Sequence, residues 1–250
     1  MQVAGFIECR NLLKSFGEKK VLRGVNLSVA EGETMVILGG SGSGKTVLLK
    51  HMNGLMNPES GEVFLDQLEI TRLGEEDLRE VRKKVAMVFQ GSALFDSLTV
   101  EENVAYPLEE HSRLCVKEIA EKVRQILSLV DLDGSERLYP AELSGGMKKR
   151  AALARALALN PKILLYDEPT TGLDPAMTHR INGLIREMQT RLGVTSVVVT
   201  HDIHSAFVIA DRLAFIREGQ IRFVGTRAEL QTSSDLAVRE FLDAGFSPVP

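Results

Sequence analysis

Residues 34–52 read "TMVILGGSGSGKTVLLKHM". "TMVIL" is a continuous apolar run, as expected of a strand covered on both faces. "GGSGSGKT" at 39–46 matches G-x-x-x-x-G-K-[ST], and "VLLKHM" then enters a helix, the strand-to-helix context that makes this pattern a phosphate loop. Gly39, Gly40, Ser41, Gly42, Ser43 and Gly44 let the backbone wrap closely around an anion, with amide hydrogens and the helix N-terminus facing it. Lys45 adds a compact positive charge, and Thr46 supplies a hydroxyl for magnesium. The stretch predicts a nucleoside-triphosphate site.

Further runs of the same kind are "VAMVF" (85–89), "KILLY" (162–166), "TSVVVT" (195–200) and "RLAFI" (212–216). Together they predict a mostly parallel sheet flanked by helices. Near the start, Val25, Leu27 and Val29 alternate with Asn26, Ser28 and Ala30, and "GEVFLD" follows at 61–66. That period of two predicts a small antiparallel sheet. Between 91 and 160 the pattern turns helical, with Val116, Ile119, Ala120, Val123, Ile126, Leu127 and Val130 on one stripe. Thr226 and Glu229 have the spacing of a capping box ahead of "DLAVREFLDAG".

"ILLYDE" places Asp167 and Glu168 at the carboxyl end of a buried strand, where open parallel sheets put their ligands. Strand residues alternate sides, so the two acids divide the work. Asp167 is assigned to magnesium, and Glu168 to ordering and polarising a water for attack on the γ-phosphate. Gln90, after "VAMVF", and His201, after "TSVVVT", reach the same phosphates from neighbouring strand ends or else cap their strands.

A second glycine stretch, "LSGG" at 143–146, opens the helix "MKKRAALARALAL". It offers another helix N-terminus with a serine hydroxyl, hence another anion site. One phosphate loop holds one triphosphate, so the second site needs a phosphate from elsewhere. A two-fold dimer supplies it.

Phosphate loop, glutamine, "LSGG", "ILLYDE", "TGLD" and "VTH" stand in an order and spacing that resemble an ABC transporter ATPase subunit over nearly the whole chain. The resemblance implies a RecA-like P-loop core with the antiparallel β subdomain over 1–90 and 161–225, an inserted helical subdomain over 91–160, and a helical tail over 226–250. It implies ATP and Mg2+, sandwiched in a head-to-tail dimer between Lys45 of one chain and Ser144, Gly145 and Gly146 of the other. By the same resemblance Gln90 senses magnesium and contacts a transmembrane permease, Asp174 communicates across the dimer, His201 holds the γ-phosphate, and Phe16 stacks on adenine. Met147 replaces the family's usual glutamine. "LSGGMKKRAALARALA" and "FQGSALFDSLTVEENVAYPLEEH" (89–111) resemble the ATPases of Mla-type transporters. Those work with a permease and an MCE lipid-binding protein, which implies phospholipid transport from the cytoplasmic face of the inner membrane. Whether a small STAS-domain protein joins is left open.

Composition narrows the alternatives. The net charge of −4 and pI near 5.8 lack the basic footprint of a nucleic-acid binder. A soluble ABC ATPase acting on DNA or ribosomes would bring a second cassette, a coiled coil or a zinc motif, and none is present. An amino-acid, metal or drug permease remains an alternative partner. A small-molecule kinase would leave "LSGG" without a task. Cys9 and Cys115 form no disulfide or zinc pattern. Glu8 and Arg10 argue against a signal peptide in "MQVAGFIECRNLL". The longest apolar attempt, "AFVIADRLAFI" (206–216), is broken by Asp211 and Arg212. Lys148, Lys149 and Arg150 read as a solvated helix face, and His51, His111 and His204 as structural.

Overall fold

Val25, Leu27 and Val29 are buried while Asn26 and Ser28 stand exposed, so the alternation near the start does fold as one half-covered strand. The computed structural model describes residues 5–246. Its first elements are β1 (Ile7–Phe16), β2 (Lys19–Val29), β3 (Thr34–Leu38), α1 (Lys45–Met52), β4 (Ser60–Leu65), β5 (Leu68–Glu69), α2 (Glu75–Lys84) and β6 (Val85–Val88). Three helices follow, α3 (Val100–His111), α4 (Val116–Leu129) and α5 (Gly145–Leu157). The chain then runs through β7 (Ile163–Asp167), α6 (Pro175–Leu192), β8 (Thr195–Thr200), α7 (Ile203–Ile209), β9 (Arg212–Arg217), β10 (Gln220–Gly225), α8 (Arg227–Gln231) and α9 (Leu236–Phe246).

One sheet has the order β10-β9-β3-β8-β7-β6, parallel except for β10, and the other is antiparallel with the order β2-β1-β4-β5. The alternating side chains of β3 feed two cores. Met35 and Ile37 pack with Leu48, Leu49 and Met52 of α1 and with the antiparallel sheet. Val36 and Leu38 pack on the opposite side, among α3 to α7. Each fully buried Leu or Ile contributes roughly 1.5–3 kcal/mol, so β3 and the start of α1 form a rigid base for the loop between them.

Two expectations need correction. "VAMVF" is not covered on both faces: β6 is the sheet's edge strand, and Ala86 and Met87 are only half-buried. The stripe of α4 is fully buried only from Val123 onward, with Ile119 half-buried against the core. Val116 is 84% exposed and Ala120 is exposed; both line an open groove with Glu101, Ala105 and Glu109 of α3. "EEDLREVRKK", outside the elements expected from sequence, folds as α2. The capping box at Thr226 and Glu229 forms as expected and starts α8, with α9 after it. Residues 1–4 and 247–250, which belong to the amino-terminal stretch and the tail read above, lie outside the described residues. Among the described residues, no helix is long and apolar enough to cross a membrane.

Candidate active site

The carboxyl ends of β3, β6, β7 and β8 converge on a cavity of about 460 Å3. The loop after β3 turns through Gly42 at φ 75 and Gly44 at φ 106, conformations a side chain would strain. A Cβ at Gly39 would stand 2.5 Å from the Ile216 carbonyl, so the loop's first residue must be glycine for the loop to lie on the sheet. Lys45, the first residue of α1, is 6% exposed; its Nζ donates to the carbonyls of Gly39 (2.7 Å) and Gly40 (3.1 Å) and lies 3.4 Å from Glu168 Oε1.

Thr46 Oγ1 donates to Asp167 Oδ1 at 2.8 Å, joining α1 to the end of β7. Burial pushes the Asp167 carboxyl above the ordinary carboxylate range; the Thr46 hydroxyl works against that shift and the neighbouring Glu168 charge adds to it. The amide of Glu168 still donates to Val199 of β8, at 3.0 Å, but the residue then adopts φ 48. The strict two-sided alternation expected of the pair therefore fails. In the left-handed conformation Glu168 turns back to the same cavity, where its Oε2 meets His201 Nδ1 at 2.9 Å and accepts from Thr171 Oγ1 at 3.2 Å.

Gln90, two residues past the end of β6, lines the cavity with Ser41, Gly42, Gly44, Thr46 and His201. Phe16, at the end of β1, is 49% exposed on its rim, and not in the core as an isolated phenylalanine would be expected to lie. Gly40 has open space where a Cβ would stand.

These residues fit a magnesium nucleotide. Ser43 Oγ is buried in the loop with no hydrogen-bond partner, an orphan donor that a phosphate oxygen would satisfy. Thr46 and Asp167 are a hard-oxygen pair of the sort that holds magnesium together with substrate phosphates and not in a protein cage. Among the described residues no cluster of three or more His, Cys, Asp or Glu could hold a metal alone.

The turn expected to form a second anion site lies outside this cavity. Ser144 is the N-cap of α5 and accepts from the Met147 amide at 3.3 Å; Ser144 and Gly145 are exposed, and none of residues 144–146 lines the cavity. Gly146 is buried because Met177, on the first turn of α6, packs on it: a Cβ would stand 2.8 Å from the Met177 sulfur. Asp174 caps α6, accepting from the Met177 amide at 2.9 Å. The two helix starts are thus packed together.

Of the three cations after "SGGM", Lys149 and Arg150 do not belong to a solvated face. Lys149 is 7% exposed and its ammonium donates to the Gln90 carbonyl. Arg150 bonds the carbonyls of Val130, at 3.0 Å, and Asp131. Burial lowers the pKa of the Lys149 ammonium, and the Asp167 and Glu168 charges oppose that shift. Sequence reading also missed Thr171. The signal for Lys149 was its spacing, since it shares the buried face of α5 with Gly146 and Leu153. His51 is buried as expected, with Nδ1 2.7 Å from the Val47 carbonyl.

Residues 22–171 match the profile of a family described as "ABC transporter". The chain is 42% identical over 236 residues to the intermembrane phospholipid transport system ATP-binding protein MlaF of Haemophilus influenzae, covering 94% of this chain and 89% of that one. It is 40% identical over 237 residues to the probable ribonucleotide transport ATP-binding protein mkl of Mycobacterium tuberculosis (strain ATCC 25618 / H37Rv). That match covers 95% of this chain, which spans about two thirds (66%) of the mycobacterial protein's length. Its fold is similar to a dimeric ATP-binding cassette solved in a post-hydrolysis state with ADP and Pi, at a TM-score of 0.82 and 35% identity, covering 88% of this chain and 98% of that one.

Proposed function

This chain belongs to the ABC transporter family, and on that premise we propose that it is the ATP-hydrolysing subunit of a transporter that moves phospholipid. The observation that carries the motor is the separation of its two anion sites. Phosphate loop, Gln90, Glu168 and His201 share one cavity, whereas the Ser144–Gly146 turn lies outside it, with Ser144 and Gly145 exposed. A second copy, related by a two-fold axis, brings its turn to the nucleotide on this chain's loop.

Within each composite site the chain's groups have distinct work. The loop amides and Lys45 bind the phosphates, Phe16 offers a face to the base, and Thr46, Asp167 and Gln90 hold magnesium. When bound, magnesium offsets phosphate charge and orients the terminal phosphoryl group for in-line attack. Glu168 orders and polarises the attacking water, and His201 holds the γ-phosphate while fixing the Glu168 carboxylate. Ser144, Gly145 and Gly146 of the partner close the site, and Asp174 relays the closure between the helix starts.

The permease contact falls on the groove of about 400 Å3 lined by Phe89, Phe95, Tyr106, Pro107, His111 and Arg155, beside Gln90 in sequence. Such a contact holds the chain peripherally at the cytoplasmic face of the inner membrane. The lipid assignment draws support from the likeness to MlaF and from the 89–111 and 143–158 stretches, and it brings an MCE lipid-binding protein as a further partner.

Co-purification tests the whole reading. The tagged Glu168→Gln chain, recovered from detergent-solubilised membranes with ATP and magnesium, is expected to bring a multi-spanning permease and an MCE protein, identified by mass spectrometry. A permease for amino acids, metals, drugs or ribonucleotides would keep the motor and discard the lipid. Recovery only in the soluble fraction with ribosomes or DNA would overturn the transport reading.

A further inference from the structure

α5 carries two buried or half-buried cations that reach the same short segment of main chain. Lys149 donates to the Gln90 carbonyl, and Arg155 donates to the Ser92 carbonyl at 3.3 Å. That segment is the joint between the end of β6 and the helices that follow. It is turned by Ser92 at φ 63 and Ala93 at φ 49, both left-handed, and closed by the Ser92 amide on the Phe89 carbonyl at 2.9 Å. The joint is therefore bonded to α5 at two of its carbonyls.

Lys149 lies five residues after Ser144, about 7 Å along the same helix axis. Its ammonium bonds the main chain of the residue whose side chain faces the phosphate cavity, and it feels the charges of Asp167 and Glu168. The Ser144–Gly146 turn and the main chain of Gln90 are thus joined through α5 and the ammonium of one buried lysine, with Arg155 holding the neighbouring Ser92.

We propose that Lys149 is a positioning residue that makes the Ser144–Gly146 turn follow Gln90, so that a chain whose own phosphate site is engaged presents its turn correctly to a second copy. The proposal rests on the composite-site reading above. A lysine is suited to it because a compact ammonium on a flexible stem keeps its bond to a carbonyl through a small shift of the joint. An apolar side chain of similar length fills the same space without the link.

The test compares Lys149→Met and Lys149→Arg in the full chain and in the Glu168→Gln background. Lys149→Met leaves the Gln90 carbonyl without this donor, so its Tm should fall by about 2–12 °C while the chain stays folded at the assay temperature. Binding of MgATP to the dilute chain should stay within about twofold, because the phosphate loop is untouched. Turnover should fall about tenfold or more, and ATP-driven dimerisation of the Glu168→Gln background should need about tenfold more protein. Lys149→Arg, which keeps the donor, should recover most of both. Parental turnover and dimerisation in Lys149→Met would overturn the proposal, and so would MgATP binding and turnover that fall together in Lys149→Met and are not restored by arginine. Glu168→Gln with Lys149 intact is the control: its failure to dimerise with ATP would overturn the composite-site reading, and this inference with it.

Discussion

At Glu168 the chain leaves β7 through φ 48, a conformation that costs an ordinary residue about 1–2 kcal/mol. The surroundings hold it there: the amide stays in the ladder with Val199 while Lys45, His201 and Thr171 take the carboxylate. A fixed carboxylate in a buried cavity is suited to ordering one water, and the neutral amide of glutamine keeps its shape but cannot take a proton. Glu168→Gln should therefore lower kcat about 10²- to 10⁴-fold while binding of MgATP survives, read by phosphate release against nucleotide titration. Near-parental turnover would remove Glu168 from this role. The acid itself was legible from "ILLYDE"; its direction was not. Period-two reasoning sends Glu168 away from Asp167, and only the left-handed turn, a property of the loop after β7, returns it to the cavity. Lys149 was misread for a related reason. A cation in a helix's first turns is usually solvated, and its burial depends on Gln90, which lies 59 residues away.

Among the elements, α3 has the clearest local logic. Thr99 and Glu102 form its capping box, with the Thr99 amide donating to Glu102 at 2.7 Å. Asn103, fully buried, accepts from the Phe95 amide at 2.9 Å and donates to the carbonyls of Phe95, Leu98 and Thr99 at 2.9 to 3.1 Å. One side chain thus closes the turn that presents Phe95 to Tyr106, ring centroids 5.0 Å apart, on the groove assigned to the permease. Asn103→Ala strands several buried main-chain groups and should cost about 2–3 kcal/mol. For a chain of this size that is a fall of about 4–12 °C in Tm, measurable by thermal unfolding. A change under 1 °C would mean that the turn is held by other contacts. Strands were easier to read than helices for a physical reason. The interior strands β3, β7 and β8 are buried at every residue, so composition alone marks them. The apolar stripe of α4 is closed over from Val123 onward and borders an open groove beside α3 before that, and nothing in the stripe says where its cover begins.

For the molecule as a whole, the sequence posed one question that a single chain does not resolve, two anion sites for one phosphate loop. The described structure keeps them apart, with Ser144 and Gly145 exposed and outside the cavity that Lys45 lines. If the sites are composite, damage to each can be placed on different chains and partly repaired by mixing. Lys45→Ala removes the loop's cation, and Ser144→Arg fills the turn with a bulky charge; each alone should abolish turnover, because both sites of its homodimer are broken. In a mixed dimer the intact loop of the Ser144→Arg chain faces the intact turn of the Lys45→Ala chain, which leaves one whole site and one doubly broken. With random pairing at equal amounts, half the dimers are mixed, and turnover should rise to at most about one quarter of the parent. The measurement is phosphate release as the two inactive chains are titrated into each other at constant total protein. A maximum near equal proportions supports the composite site. Turnover that stays at the level of the separate variants across the titration, with mixed dimers detected by differential tagging, would show that each chain completes its own site and would overturn the dimer reading.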